Sequence, residues 1–295
     1  MQFKGYEIEQ KGERIIVEGV KEFEPMHIFE CGQCFRWKRM PDKSYTGVAY
    51  GRVVNTNYAE GKLEIYNTNT EEFKNLWFDY FDLGRDYSHI KKSITKDKIM
   101  KKVVAFGYGI RLLRQEIWES LISFIISANN RIPMIVKTVN EISRLYGHEI
   151  YLDSEKYYSF PKYDAILQGT IEQLKSCKAG FRCRYIRDTA KAVAEGEIEL
   201  SAIDSMSTKE AREYLMKLPG VGPKVADCTL LYSGKKYDVF PTDVWVKRAM
   251  EELYFGRETT FKEIQDFIID YFGEYAGFAQ QYLFYYAREN KIGAR

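Results

Sequence analysis

Histidine is scarce in this 295-residue chain, at 3 copies, and cysteine is limited to 5. So few imidazoles leave little for a histidine-based metal centre. The cysteines, at 31, 34, 177, 183 and 228, have no regular spacing and do not define a disulfide framework. Cys31-x-x-Cys34 alone would suit redox or metal chemistry. Only Cys177 and Cys183 could complete such a site, their spacing is wrong for zinc, and Cys34-Phe35-Arg36-Trp37 also reads as the start of a strand. No apolar run reaches the ~20 residues of a membrane span. The N-terminal Met1-Gln2-Phe3-Lys4-Gly5-Tyr6-Glu7 lacks a basic-then-apolar leader, so an intracellular, membrane-free protein is expected. Charge of one sign is also missing: the formal net charge is +2.

Aromatic residues, by contrast, are plentiful. They make up 15% of a chain that is 45% hydrophobic, led by Tyr 23 and Phe 18, and such a composition folds rather than staying disordered. The length suits one large or two moderate domains. Short β-favouring runs fill the first third: Arg14 to Val17, Cys34 to Lys38, Tyr45 to Ala49, Arg52 to Val54 and Lys62 to Tyr66, separated by turn segments such as Met40-Pro41-Asp42-Lys43. From Thr70 onward helical spacing takes over: Glu71 to Phe81, Ile90 to Val104, Glu116 to Ala128, Pro133 to Leu145, Ile171 to Leu174, Arg184 to Ala194, a start at Thr260-x-x-Glu263 and a last helix from Gly277 to Arg288. The expectation is an α+β protein, with an N-terminal antiparallel sheet domain and flanking helices at 1–105 and a helical region at 106–295. Local charge is more telling than the total. Residues 211–250 hold seven Lys/Arg against four Asp/Glu, and residues 171–190 hold five against two. Such excess suits a phosphate-facing surface.

The stretch Leu218-Pro219-Gly220-Val221-Gly222-Pro223-Lys224-Val225-Ala226-Asp227-Cys228 carries the most information. Ser207 and Glu210 have capping-box spacing, and Lys209 to Lys217 reads as a helix that Pro219 stops. Gly220 and Gly222 permit φ > 0 and close backbone approach. Pro223 suits a first helical residue. The product is helix, tight hairpin, helix over 207–232, with exposed N–H groups that suit a phosphate. Lys224 then falls on the first turn of a helix, where the dipole disfavours a cation by roughly 0.3–1 kcal/mol. Such a lysine either points to solvent or supplies an amine nucleophile. Asp243 ends the extended segment Tyr237 to Trp245 and is placed to cap a helix from Val244 to Tyr254, or to hold a carboxylate near the lysine.

Hairpin, lysine and aspartate together resemble the helix-hairpin-helix DNA glycosylase superfamily. Four further stretches narrow the resemblance to 8-oxoguanine DNA glycosylases: Gly32-Gln33-Cys34-Phe35-Arg36-Trp37, Asn129-Asn130-Arg131-Ile132, Gly180-Phe181-Arg182-Cys183-Arg184-Tyr185 and Tyr275-Ala276-Gly277-Phe278-Ala279-Gln280. The resemblance implies two all-α subdomains flanking an active cleft, duplex DNA containing 8-oxoguanine as partner, and a monomer. It implies a nucleophile at Lys224 and a charge-stabilising carboxylate at Asp243. For the flipped base it implies a backbone carbonyl at Gly32 that reads N7–H, Gln280 on the Watson–Crick edge, and Phe284 and Cys228 on its two faces. If the Cys228 thiol gives its proton to the amine, the resulting dipole would favour the oxidised base. Phe181 is implied to wedge into the stack, while Asn129 and Arg182 read the orphaned base. Gly220 and Gly222 are implied phosphate contacts. The carbonyls of Met216, Leu218 and Val221 are implied holders of a structural monovalent cation. No cofactor is needed for catalysis. Relatives acting on oxidised pyrimidines or mispaired adenine carry four clustered cysteines for an iron–sulfur centre near the C-terminus, and none lies beyond Cys228 here.

The implied activity is base excision followed by β-elimination through a lysine Schiff base. The base must first leave the stack, which costs a few kcal/mol. Three positions depart from the pattern. Met134 replaces an arginine that helps recognise the opposite cytosine, which implies a weaker preference for that base. Trp245 replaces a phosphate-contacting histidine. Phe181 replaces tyrosine and keeps the wedge. Two alternatives stand beside this reading: a related glycosylase for another damaged purine, and a non-catalytic hairpin module that only holds DNA. Lys224 argues against the first, Asp243 and the lesion-pocket residues against the second.

Overall fold

The computed structural model describes residues 1–293. Seven strands form one antiparallel sheet: β1 (Gln2–Phe3), β2 (Tyr6–Lys11), β3 (Arg14–Glu18), β4 (Trp37–Arg39), β5 (Tyr45–Ala49), β6 (Arg52–Ala59) and β7 (Lys62–Tyr66), in the spatial order β1-β2-β3-β7-β6-β5-β4. The alternation of β3 fixes its register. Ile15 and Val17, opposite Ile65 and Leu63, enter the core beneath the sheet, where Trp77, Phe78 and Phe81 cover them. β1 and β2 escaped the sequence reading because Tyr6–Lys11 is polar at all but one buried position, Ile8. A separate hairpin, β8 (Glu149–Leu152) with β9 (Glu155–Tyr158), was also not anticipated.

Two expectations need correction. The run from Cys34 does not start a strand. Residues 31–36 form a loop and β4 begins only at Trp37. The cause is Gln33, fully buried, whose side-chain amide donates to the carbonyls of Ile28 and Arg111 (2.8 Å each) and accepts from Leu113 N–H (2.9 Å). The single helix read over Ile90 to Val104 is two, Tyr87–Ile94 and Lys98–Phe106. Asp97 separates them by accepting from Met100 N–H at 2.7 Å and so capping a new start. The other expected helices fall close to their positions, from Ile117–Ser127 to Ala276–Glu289, whereas Tyr163–Gln168 and the short Leu200–Ser205 turn of helix were not anticipated.

Three apolar cores hold the molecule together. One lies under the sheet. A second joins Ile117–Ser127, Ile132–Tyr146, Arg182–Ala194 and both helices of the hairpin motif. The third joins Lys98–Phe106 to the C-terminal helices Phe261–Phe272 and Ala276–Glu289. A boundary at 105 therefore severs Met100 and Val103 from Tyr282 and Leu283, with which they pack. Arg111, 2% exposed, bridges the segments: its guanidinium donates to the carbonyls of Lys21, Glu22 and Asp82, each at 2.7 Å. No helix of the described residues is long and apolar enough to cross a membrane.

Glu119, on the Ile117–Ser127 helix, is 8% exposed. Burial pushes its carboxyl from the ordinary 4.5 to about 7, against the pull of the Arg36 guanidinium. The folded state thus holds this proton more tightly than the unfolded chain. The stability it contributes is complete below pH 4.5 and is lost as pH rises towards about 7. Glu119→Gln is expected to raise stability at pH 8 by roughly 1–3 kcal/mol and to change it little at pH 4.5. Urea titrations at the two pH values check this, and a gain of equal size at both would refute it.

Candidate active site

The helix-hairpin-helix motif is built as its residues dictate. Ser207 and Glu210 form a reciprocal capping box at the start of Thr208–Leu215, the chain turns through 216–222, and Pro223 opens Pro223–Tyr232. Arg212 on the first helix pairs with buried Asp227 on the second (2.5 Å), fixing their packing. Only one hairpin glycine uses positive φ: Gly220 at +78°, whereas Gly222 is extended at −93°. A methyl group on Gly220 would also meet the Tyr185 ring at 2.5 Å, while one on Gly222 would project into open space. That open space leaves the Gly222 backbone accessible. Leu218 O accepts from Val221 N–H at 3.2 Å, closing the turn.

Lys224 does not point to bulk solvent. It lines a cavity of about 120 Å³ together with Gly32, Cys228, Asp243, Gln280 and Phe284. A cavity of ~150 Å³ admits a benzene ring, so this space is on the scale of an aromatic base. Asp243 caps Val244–Met250 by accepting from Val246 N–H at 2.8 Å, which holds its carboxylate at the cavity wall. Lys224 Nζ donates to Ser127 Oγ at 3.2 Å and lies 5.5 Å from the centre of the Phe124 ring. Gly32 has φ +92°, and a methyl there would press on Phe284 Cε1 at 3.0 Å. Gln280, 3% exposed, donates from Nε2 to Pro241 O (3.3 Å), beside a Tyr232 hydroxyl whose proton goes to Gln281 Oε1 (2.8 Å). Burial pushes the Cys228 thiol up to about 12, with Lys224 as the leading opposing influence. Burial thus favours the neutral thiol in the protein alone. Trp245 packs edge-on against Phe284, with ring centres 5.3 Å apart, and so braces that ring.

Four expected residues lie outside the cavity, clustered beside it. Phe181, read from sequence against the alternative of a core aromatic, is 59% exposed. Met134 and Asn129 are exposed as well, and Asn129 has φ +50°. Arg182 is buried: its guanidinium donates to Ala128 O (Nε, 2.8 Å) and Asn129 O (2.8 Å), and it lies 4.4 Å from the Phe181 ring centre. Its hydrogen-bonding capacity thus goes first to the loop that presents Asn129. Sequence reasoning missed Ser127, Asn130, Phe124 and Tyr232, which all line the cavity. Phe124 and Ser127 are three apart, so they share a helix face. A wider concavity, about 860 Å³, lies between the sheet and the β8–β9 hairpin and shares none of these residues. Among the described residues, no group of three or more His, Cys, Asp or Glu is placed to hold a metal ion.

A seven-stranded sheet joined to helices that carry a hairpin motif beside a lysine–aspartate cavity defines the helix-hairpin-helix class of DNA glycosylases. The model of the HhH-GPD superfamily of base excision DNA repair proteins matches residues 122–269, and that of the 8-oxoguanine DNA glycosylase N-terminal domain matches residues 15–121. The chain belongs to the 8-oxoguanine DNA glycosylase family of N-glycosylase/DNA lyases. It is 34% identical to a probable N-glycosylase/DNA lyase of Methanothermobacter thermautotrophicus, over 72% of this chain and 74% of the relative. Among solved structures, a Clostridium acetobutylicum 8-oxoguanine glycosylase/lyase bound to duplex DNA with cytosine opposite 8-oxoguanine superposes with TM-score 0.94. It is 49% identical, covering 97% of this chain and 99% of that one. MBOgg1, in complex with a low-affinity DNA ligand, superposes at 0.95 with 51% identity and the same coverage.

The hairpin geometry separates its two glycines. Gly220→Ala is expected to destabilise the fold by about 1–3 kcal/mol, through positive φ and the Tyr185 contact, whereas Gly222→Ala costs less than about 1 kcal/mol. Denaturant midpoints of the two variants decide this, and equal losses would contradict it.

Proposed function

We propose that this protein flips 8-oxoguanine out of duplex DNA, excises it, and then cuts the strand by β-elimination through a Schiff base on Lys224. The observation that carries the reading is that Gly32, Lys224, Cys228, Asp243, Gln280 and Phe284, drawn from four separated stretches of sequence, converge on one base-sized cavity. The Clostridium relative, crystallised with that lesion opposite cytosine, supports the choice of substrate.

Discrimination rests on N7, which accepts a hydrogen bond in guanine and donates one in the oxidised base. A fixed carbonyl at Gly32 pairs with N7–H and repels a lone pair. Leaving it unpaired in a dry pocket costs about 1–3 kcal/mol. The positive φ of this glycine against Phe284 favours this role, because a side chain there would be strained and would press on that ring. In catalysis, Asp243 stabilises positive charge on the sugar as the C1′–N9 bond breaks, its electron pair leaving with the base. Neutral Lys224 forms the Nζ–C1′ bond, and the base takes up a proton. Opening of C1′–O4′, with a proton added at O4′, gives the iminium. This acidifies the C2′ proton, whose removal expels the 3′ phosphate. Phe181 wedges into the stack, Asn129 fills the vacated space, and Arg182 supports both and faces the orphaned base. Gly220 and Gly222 lie against a phosphate. The carbonyls of Met216, Leu218 and Val221 suit a structural monovalent cation, since Leu218 O spends one lone pair on Val221 N–H and retains the other. Such an ion would add positive charge beside that phosphate.

Borohydride added to the enzyme and an 8-oxoguanine duplex is expected to trap a covalent complex that Lys224→Gln abolishes. A variant that traps as well as the parent would remove Lys224 from this role. Single-turnover excision on duplexes carrying either 8-oxoguanine or an alkylated purine separates the substrate classes. Met134 sets the second expectation: Met134→Arg restores a charged donor beside the opposite base. The ratio of excision rates opposite cytosine and adenine should rise about tenfold, equivalent to roughly 1.4 kcal/mol of discrimination. An unchanged ratio across the four opposite bases would count against the assignment.

A further inference from the structure

Lys224 Nζ donates to Ser127 Oγ at 3.2 Å, and Ser127 Oγ donates its own proton to the Phe124 carbonyl at 2.7 Å. A hydroxyl has one proton to give. With that proton aimed at a backbone carbonyl, Ser127 meets the amine only as an acceptor. The serine is the last residue of Ile117–Ser127 and is 9% exposed, so its lone pair is fixed in direction. One turn earlier Phe124 places its ring under the same amine, 5.5 Å away. The helix terminus adds the negative end of its dipole. Thus the amine extends from the positive end of its own helix towards the negative end of another.

We infer that Ser127 is the positioning residue for the nucleophile and keeps its hydrogen bond from attack to Schiff base. This rests on the lysine chemistry proposed above. Before attack, one N–H of the neutral amine points at Ser127, which stops rotation about Cε–Nζ and holds the lone pair towards the cavity. Attack forms Nζ–C1′ while the C1′–N9 pair leaves with the base, which gains the proton that the amine sheds. One N–H remains. When C1′–O4′ opens and O4′ takes a proton from water, the nitrogen lone pair becomes the second bond of C1′=Nζ, and the same N–H stays on the iminium. An acceptor fixed in place therefore sets the plane of that double bond, and with it the alignment of the C2′ proton to be removed.

The test compares the parent with Ser127→Ala and Ser127→Thr, with Lys224→Gln as control. Ser127→Ala is expected to lose on the order of 10- to 100-fold in single-turnover excision and in borohydride trapping. Its affinity for a duplex with a tetrahydrofuran abasic analogue should stay within about twofold of the parent, and its unfolding midpoint should stay close to the parent's. Ser127→Thr, which retains the hydroxyl, should recover most of the rate. Ser127→Ala at the parental rate, or Ser127→Thr as impaired as Ser127→Ala while both fold and bind, would overturn the role. A parent that excises without trapping would remove the Schiff-base reading and this role with it. A parent that traps beside an unimpaired Ser127→Ala removes only the role of Ser127.

Discussion

The side-chain amide of Gln33 holds two parts of the chain in register, and the site depends on that registration. Both its N–H groups are used, on Ile28 O and Arg111 O, and its oxygen accepts from Leu113 N–H, while its own backbone carbonyl accepts from Gln115 Nε2 at 2.7 Å. At zero exposure, each of these groups left unpaired would cost about 1–3 kcal/mol, so the loop has a single satisfactory arrangement. Arg111 extends the same strap to Lys21, Glu22 and Asp82. Gly32, the next residue to Gln33, inherits a fixed position, and a backbone carbonyl can discriminate between two bases only if it cannot retreat from the wrong one.

The opposite wall is held by different means. Asp243 is fixed by capping a helix, Lys224 by following a proline-started turn, and the two hairpin helices by the Arg212–Asp227 pair. Phe284 is braced by Trp245, and Gln280 by the Pro241 carbonyl. Most of these groups are thus aimed by a contact from another part of the fold.

Much of this was legible in the chain. The capping box at Ser207, Pro223 at the helix start and Asp243 at the next are local signals with local causes, and they fell where the residues placed them. Strands β3, β5 and β7 followed from β-branched runs of matching length. What failed was decided at long range. Cys34-Phe35-Arg36-Trp37 has strand character, but Gln33 finds its partners about 80 residues away, at Arg111 and Leu113. The break before Lys98 needed Asp97 as a cap, which helical periodicity masks. Ser127 gave no signal, because a serine at a helix end is ordinary until Lys224, 97 residues on, reaches it. Gly222 misled by company: beside Gly220 it looked like a second left-handed position, yet its conformation is one that any residue adopts.

Arg182 has one more consequence. Its guanidinium grips the carbonyls that shape the Asn129 turn and lies over Phe181, so the two residues that would probe a duplex share a common mount. The loss of freedom needed to align them is met once, when the chain folds, and not again at each encounter with DNA. A reader of many undamaged sites benefits from such rigidity, because every fruitless visit then ends without any part of the protein having to reorganise.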